Sequence, residues 1–406
     1  MKAQLAIGPI GQLVTATSMP WRFNDNVLII NDAGLIINNG FIIDVGPWDL
    51  LRSRYEYDRI INAEDSLVTA GLVDPHTHLL FAGSREDELE LKLNGVSYED
   101  ILKRGGGIRR TIEATVKADD EELIKVGLSR LTQALSYGTT TIEIKSGYGL
   151  SIDQEIRLLR LINDLKNRTE VDVVATFLAH VPPRSGREGY VKDIVNSMSK
   201  IRVLATFVDV FCDSEAFTVN ESKVILEAAY NAGLGLRMHA DELSYIGCSD
   251  LARELELTSI DHLLNTPEGN IKVMAIKGIT ATLLPITVLT LMTNKRPLVN
   301  VMRSSRAITA IGTDFSPNTW SISMQTAMEL SSYLLGLTPM EALMAATVNS
   351  AYSLGLRDRG ILMPGYLADV IIWNVPNYRW LTYSIGANKV KAIIKRGKVI
   401  TGDCLS

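Results

Sequence analysis

The sequence predicts an α/β protein: a (β/α)8 barrel, TIM-like, with a small β-sandwich domain built from both termini. Three observations carry that expectation. From residue 67 to about 355, apolar runs of four to eight residues alternate with helical patterns, and eight such runs can be counted. Both flanks read instead as short strands divided by turns. The unusual residues, above all the five histidines, fall at the ends of the apolar runs.

The eight runs are 72–76, 139–144, 173–180, 207–212, 236–239, 259–262, 279–284 and 307–312. Near-continuous apolar strands separated by helices belong to a parallel sheet covered on both faces, and eight of them close into a barrel. Helix boundaries are signalled between them. Asp119-Asp120 caps a helix that ends before Gly138, Asp153 one running toward Arg168, and Asn220 one ending near Gly233. Thr338-Pro339 opens Met340-Glu341-Ala342-Leu343-Met344-Ala345-Ala346, a capping hydroxyl followed by proline in the first turn.

The N-terminal flank contains Val27-Leu28-Ile29-Ile30, Gly34-Leu35-Ile36-Ile37, an Asn38-Asn39-Gly40 turn and Phe41-Ile42-Ile43-Asp44-Val45. Asn-Gly between two apolar runs is a strong hairpin signal. The C-terminal flank offers Leu367-Ala368-Asp369-Val370-Ile371-Ile372-Trp373 and Val390-Lys391-Ala392-Ile393-Ile394, then a Lys395-Arg396-Gly397-Lys398 turn and Val399-Ile400. Neither flank has enough strands to stand by itself, so the two are expected to fold together. The expected division is 1–66 with 357–406 as the sandwich and 67–356 as the barrel.

Composition narrows the function. Lys+Arg 41 against Asp+Glu 46 gives a net charge of −5, which argues against nucleic acid as a partner. Met1-Lys2-Ala3-Gln4 opens no signal-peptide core, and no window approaches about 18 uncharged apolar residues. A cytoplasmic protein without a membrane partner is expected. Cys212, Cys248 and Cys404 are widely spaced and form no C-x-x-C pair, so reduced thiols are the expectation. The N-x-[ST] matches at Asn167 and Asn220 then carry no weight.

The chemistry is carried by Val73-Asp74-Pro75-His76-Thr77-His78. Residues i and i+2 of a strand share a face about 7 Å apart, so both imidazoles can converge on one ion. Alone, the pair could be two surface histidines. His239, however, ends the fifth run, and Asp314 follows the eighth within Ala310-Ile311-Gly312-Thr313-Asp314. An aspartate after a strand is often only a turn or cap residue. Active sites of such barrels lie at the C-terminal strand ends, and three imidazoles with one carboxylate suit Zn(II) or Fe(II) better than Ca or Mg.

These motifs resemble those of the metal-dependent amidohydrolases, and within them the imidazolonepropionase family, which opens the imidazolone ring in histidine degradation. The resemblance covers most of the chain. It rests on Gly71-Leu72-Val73-Asp74-Pro75-His76-Thr77-His78, Gly83-Ser84-Arg85-Glu86, Gly105-Gly106-Gly107-Ile108, Lys145-Ser146-Gly147-Tyr148-Gly149-Leu150, Phe177-Leu178-Ala179-His180, His239-Ala240-Asp241-Glu242, Asp261-His262-Leu263 and Thr313-Asp314-Phe315. The Lys-Ser-Gly-Tyr-Gly-Leu run with His-Ala-Asp-Glu points to imidazolonepropionase in particular.

The resemblance implies one zinc or iron ion per chain, held by His76, His78, His239 and Asp314, and a water activated by that ion. It implies hydrolysis of 4-imidazolone-5-propanoate to N-formimidoyl-L-glutamate, with Asp314 taking the water proton and Glu242 and His262 assisting its transfer to the leaving nitrogen. Arg85 is implied as the partner of the propanoate, where a guanidinium fork fits a carboxylate; the plain alternative is a surface arginine paired with Glu86 or Asp87. Tyr148, His180 and Glu242 are implied as substrate contacts, with Tyr98 as a further candidate. His180 could instead be a satisfied core histidine, and Tyr98 could simply pack.

Gly105-Gly106-Gly107 fails the G-x-G-x-x-G pattern and is expected to be a mobile loop near the barrel mouth, with no phosphate-type helix start after it. The family pattern has Asn two positions after the metal aspartate, followed by Pro-Gly; this chain has Asp314-Phe315-Ser316-Pro317-Asn318-Thr319. Ser316, Asn318 and Thr319 are then the candidates for the contacts of that missing amide. Binuclear relatives bridge two metals through a carbamylated lysine or a carboxylate at the fourth strand, whereas here the fourth run ends Phe211-Cys212-Asp213, and a single metal is expected. Two alternatives stand beside this one: a hydrolase or deaminase of another cyclic amidine, guanine deaminase being the obvious case, and an inactive scaffold. A small-molecule substrate and a homodimer complete the expectation, the latter because cyclic dimers dominate soluble oligomers.

Overall fold

A computed structural model of the chain describes residues 2–96, 100, 106–183 and 185–401. Tyr98, Gly105 and Cys404 lie outside them. The strands fall into two sheets. The first draws on β1 (Lys2–Ala16), β2 (Val27–Asn38), β3 (Phe41–Pro47) and β4 (Glu56–Ala70). The second holds β5 (Leu72–Asp74), β6 (Thr139–Lys145), β7 (Asp172–Ala179), β8 (Phe207–Cys212), β9 (Gly235–Ala240), β10 (Ser259–His262), β11 (Thr280–Leu283) and β12 (Thr309–Ile311). The chain then returns to the first sheet with β13 (Val370–Trp373), β14 (Val390–Lys395) and β15 (Lys398–Thr401).

The strands β5 to β12 coincide with the eight apolar runs of the sequence and pair in parallel, each with the next. Closure happens just past the strand ends. Thr77 bridges Phe315, His78 N–H donates to the Phe315 carbonyl at 2.9 Å, and Asp314 N–H donates to the His76 carbonyl at 3.0 Å. Asp74 adds a side-chain clamp, its carboxylate accepting the Thr313 N–H at 3.1 Å and the Thr313 hydroxyl at 2.5 Å. The first and eighth strands are therefore stitched together by the residues that flank His76, His78 and Asp314.

Both termini contribute to the other sheet, whose order is β15-β14-β13-β4-β1-β2-β3. The strands expected as a small sandwich hydrogen-bond as one continuous sheet of seven, with Leu5, Ile7, Leu35, Val370 and Ile394 among its common core. The Asn39-Gly40 hairpin joins β2 to β3 with positive φ at both residues, 50° and 81°, which Asn and Gly tolerate and most residues do not. The division expected at residue 66 falls inside β4, whose last residues 67–70 pair with β13.

Helix starts follow hydroxyls more than the acidic residues. Asp119 and Thr338 cap their helices as expected. The helix expected at Asp153 is instead capped by Ser151, and that expected at Asn220 by Thr218, which forms a reciprocal pair with Glu221. The signal was Thr-x-x-Glu, a capping box. A helix also starts directly after the glycine run, at Ile108, with Gly107 (φ 73°) preceding it, against the expectation of no such start.

Reduced thiols are also corrected. Cys212 at the end of β8 and Cys248 in the 3-10 turn Cys248–Arg253 form a disulfide with Cα atoms 5.8 Å apart. The pairing joins the end of β8 to the loop after β9, and a spacing of 36 residues gave no motif to read it from.

At the opposite end of the barrel, Asp172 accepts from Lys395 Nζ at 2.8 Å, Arg396 Nη2 at 2.9 Å and Arg359 Nη1 at 2.5 Å, fastening the β14–β15 turn to β7. Burial pushes this carboxyl up, but Lys395 and then Arg359 and Arg396 outweigh it and hold it at about 2, below its usual 3.8. A depressed carboxyl stabilises the fold above its unfolded value and loses that contribution as pH falls through its folded one. Asp172→Asn is expected to destabilise the protein by about 2 kcal/mol or less at pH 7. In thermal melts, the gap from the parent protein should close as pH falls from about 4 through about 2.

Candidate metal centre and active site

All the histidines of the chain gather at the C-terminal ends of the barrel strands. His76 and His78 follow β5, His180 follows β7, His239 lies near the end of β9, and His262 ends β10. Asp314 follows β12. Several of these ends are bent sharply: Asp241, His262, Leu263 and Asp314 have φ of 56°, 76°, 63° and 53°. Non-glycine residues rarely hold positive φ, and such strain concentrates at functional sites.

The side chains converge. Asp314 Oδ1 lies 3.2 Å from His78 Nε2 and 3.5 Å from His76 Nε2, and His239 Nε2 is 3.4 Å from His78 Nε2. Two groups could share an ion: His76 with His78 and His239, and His76 with His262 and Asp314, the ligand atoms of each within 4.8 Å of one another. His262 thus joins the cluster beyond the four residues expected. The buried Nε2 atoms of His76 and His262 have no hydrogen-bond partner, and the facing Nε2 atoms of His78 and His239 gain nothing from each other unless a proton or cation lies between. Buried polar atoms are ordinarily satisfied. A divalent cation of the zinc or iron type fits this donor set of imidazole nitrogens and a carboxylate oxygen.

The opposite ring nitrogens are anchored from below. His76 Nδ1 meets Asp261 Oδ2 at 2.6 Å, and His239 Nδ1 meets Asp209 Oδ1 at 3.0 Å. A carboxylate on Nδ1 fixes the tautomer and leaves Nε2 to a metal. Asp314 Oδ2 accepts the Thr287 hydroxyl at 2.5 Å. Burial opposes charge on Asp314, yet the His76 and His78 rings hold it well below the usual carboxylate range. Burial and Lys145 work against a proton on His76, but Asp261 and Asp314 prevail and raise it to about 9. A cation at Nε2 would take that proton's place.

Burial lowers His239 to about 3 and His262 to about 4, leaving both neutral at pH 7. It raises Glu242 to about 8, with the Asp314 and Asp213 charges adding to the effect. Glu242 Oε2 lies 3.7 Å from His262 Nε2.

A cavity of about 740 Å³ opens above the cluster, lined by His78, Arg85, Tyr148, His180, His239, Glu242, His262, Asp314, Ser316 and Asn318 among others. Nearly every expected site residue is therefore on its wall. Arg85 is paired, though with neither Glu86 nor Asp87: its Nε and Nη2 both donate to Glu88 Oε2, at 2.9 and 2.7 Å, while Glu88 Oε1 accepts the Gly107 N–H. His180 stacks on His78 with ring centroids 5.1 Å apart, and Tyr148 packs at a tilt against both. Asn318 Oδ1 accepts from Lys92 Nζ at 2.5 Å.

Among the described candidates His76 does not line the cavity, and neither does Thr319. Thr319 is fully buried, and its hydroxyl sits near those of Thr287 and Thr290 at 3.5 and 3.3 Å, behind the wall rather than in it. Ser316 Oγ accepts the Thr319 N–H at 3.1 Å, which turns the Thr319 side chain inward. Asp213 is also occupied elsewhere, accepting from the Leu243 N–H and the Ser244 hydroxyl, so the end of β8 adds no ligand to the cluster.

Sequence reasoning missed Asp209, Asp261, Thr287 and the clamp residue Asp74. A signal existed for two of them. Asp209 and Asp261 stand inside apolar runs, Phe207-Val208-Asp209-Val210 and Ser259-Ile260-Asp261-His262, where a charge must face the barrel interior and find a partner.

Residues 67–400 match the amidohydrolase family. The chain is similar to the imidazolonepropionase of Pyrobaculum arsenaticum, 56% identical over 95% of this chain and 97% of that protein. It is 40% identical to the imidazolonepropionase of Geobacillus kaustophilus, over 92% and 91% of the two chains. Among solved structures, a zinc-bound adenosine deaminase from Xanthomonas campestris superposes with a TM-score of 0.72 at 18% identity, covering 98% of this chain and 93% of that one. At that identity, the likeness concerns the fold alone.

Proposed function

The chain belongs to the amidohydrolase family, and we propose that it catalyses the imidazolonepropionase reaction, the hydrolytic ring opening of 4-imidazolone-5-propanoate to N-formimidoyl-L-glutamate. The observation that carries this is the meeting of a buried His76-His78-His239-Asp314 cluster with Arg85 and Tyr148 on one cavity wall. A neutral purine has no use for Arg85, whereas the substrate's propanoate does. His76, His78, His239 and Asp314 would hold one zinc or iron ion, which would supply Lewis-acid chemistry toward the ring carbonyl and a water.

The chain's own residues do the rest. Asp314, ionised and fixed at Oδ2 by Thr287, presents Oδ1 to take the proton of the attacking water. Water oxygen adds to the ring carbonyl carbon, and the C–N bond to the ring nitrogen breaks. Glu242, raised to about 8, carries its proton at neutral pH and gives it to that nitrogen. His262, neutral and 3.7 Å away, relays between the two carboxyls. Arg85, held by Glu88, receives the propanoate, and Tyr148 and His180 bound the ring. Ser316 and Asn318 offer polar groups on the same wall. We extend the proposal to a cytoplasmic homodimer; no helix among the described residues is long and apolar enough to cross a membrane.

The test is direct. Metal-loaded protein should convert 4-imidazolone-5-propanoate to N-formimidoyl-L-glutamate, lose that activity to a chelator, regain it with Zn²⁺ or Fe²⁺, and leave guanine and a dihydropyrimidine untouched. No ring-opened product would end the proposal.

A further inference from the structure

The interior of a (β/α)8 barrel is ordinarily packed with branched apolar side chains. Here the layer beneath the histidines is charged. Glu143 and Lys145 on β6, Asp209 on β8, Arg237 on β9 and Asp261 on β10 are all fully buried. Lys145 Nζ lies 2.7 Å from both Glu143 Oε1 and Asp209 Oδ2, and Asp209 Oδ1 meets His239 Nδ1. Arg237 Nη2 lies 3.0 Å from Asp261 Oδ2, the oxygen that meets His76 Nδ1. Glu143 Oε1 ties the halves together, 3.5 Å from Arg237 Nε and accepting the Thr176 hydroxyl at 2.6 Å.

Taking five charges out of water is unfavourable unless each finds a partner, and similar volume could be filled by apolar side chains. The arrangement has a use that an apolar core lacks. Each cation grips the carboxylate that grips a histidine, so two parallel relays run from floor to rim: Lys145 to Asp209 to His239, and Arg237 to Asp261 to His76. The grips differ. Arg237 is a fork that also donates to the carbonyls of Pro75 and Ser353, at 3.0 and 2.8 Å. It is bolted to the backbone next to His76. Lys145 reaches only carboxylates. Its place is set by Glu143, two residues back on the same face of β6; Asp209 Oδ1 accepts the backbone N–H of His239 at 3.2 Å, and this ammonium is the grip on its other oxygen. The layer also counts two cations against three carboxylates, one positive charge short, directly beneath the nitrogen cluster.

We propose that Lys145 is a positioning residue for the metal centre: it holds Asp209, which sets the tautomer and angle of His239 and so tunes how tightly the cluster binds a divalent cation. This rests on the metal-site assignment above but on nothing about the substrate.

The test is titration of metal-free protein with Co²⁺, followed by its visible absorption and by competition with a chelator. Lys145→Met removes the grip. Because it also unbalances the buried layer and could prevent folding, Lys145→Met combined with Glu143→Gln removes one charge of each sign and keeps the layer's excess of one anion. Both variants should bind Co²⁺ about 10- to 100-fold more weakly, the range found when a partner of a ligating histidine is lost, with shifted absorption bands. Lys145→Arg, which keeps the charge, should recover part of the affinity. A folded double variant that binds Co²⁺ within twofold of the parent protein, with the same bands, overturns the proposal. Failure of the parent protein itself to bind Co²⁺ would overturn the metal-site assignment and this inference with it.

Discussion

Asp314→Asn is expected to abolish turnover while leaving the protein folded. The substitution is close to isosteric, and asparagine tolerates the positive φ of 53° found there better than most residues. The Asp314 N–H that closes the barrel onto the His76 carbonyl is untouched, and the Thr287 hydroxyl can still donate to an amide oxygen. What goes is the negative charge facing His76 and His78 at 3.5 and 3.2 Å, and with it the only site on that side chain that can take a proton. Loss of a general base alone lowers the rate about 10²- to 10⁴-fold, and loss of a ligand weakens the metal besides. Measuring kcat with metal content separates these: reduced activity per bound ion reports the base, reduced metal the ligand. Full activity in this variant would sink the assignment.

Much of this centre could be read from the chain because its pieces sit where barrel physics puts them. Strands buried on both faces stand out as apolar runs, and β5 to β12 fall where the eight runs are. A histidine or aspartate at the end of such a run has one place to point, so His76, His78, His239 and Asp314 could be grouped before their distances were known. The supporting residues could not. Asp209 and Asp261 owe their meaning to ring nitrogens 30 and 185 residues away: the first is reached through the pairing of β8 with β9, the second across the closed barrel. Helix caps misled for a simpler reason: Asp153 and Asn220 look like caps, but the hydroxyls of Ser151 and Thr218 were better placed. Thr319 faces away from the cavity where reciprocal hydrogen bonds with Ser316 fold a short loop back on itself, which no residue type announces.

Arg85→Met should leave the metal centre loaded and the substrate poorly held. The Arg85 side chain is 8% exposed and Glu88 3%, and the two-point contact between them fixes the guanidinium plane against the cavity. Glu88 is in turn held by the Gly107 N–H at 2.7 Å, so the arginine is set in place before any substrate arrives. Removing one partner of such a pair costs about 2–5 kcal/mol, in part because the remaining carboxylate stays buried without its cation. That cost falls on the fold; the loss of propanoate binding is separate, and kcat/KM should fall roughly 10²- to 10³-fold. Because the contact persists from ground state to transition state, the change should appear mainly in KM. Arg85→Lys keeps the charge but not the fork, and should fall between the two. Metal content equal to that of the parent protein would show that the anchor, rather than the centre, has been lost. A kcat/KM within threefold of the parent protein for Arg85→Met would remove Arg85 from substrate recognition and reopen the question of whether the substrate carries a carboxylate.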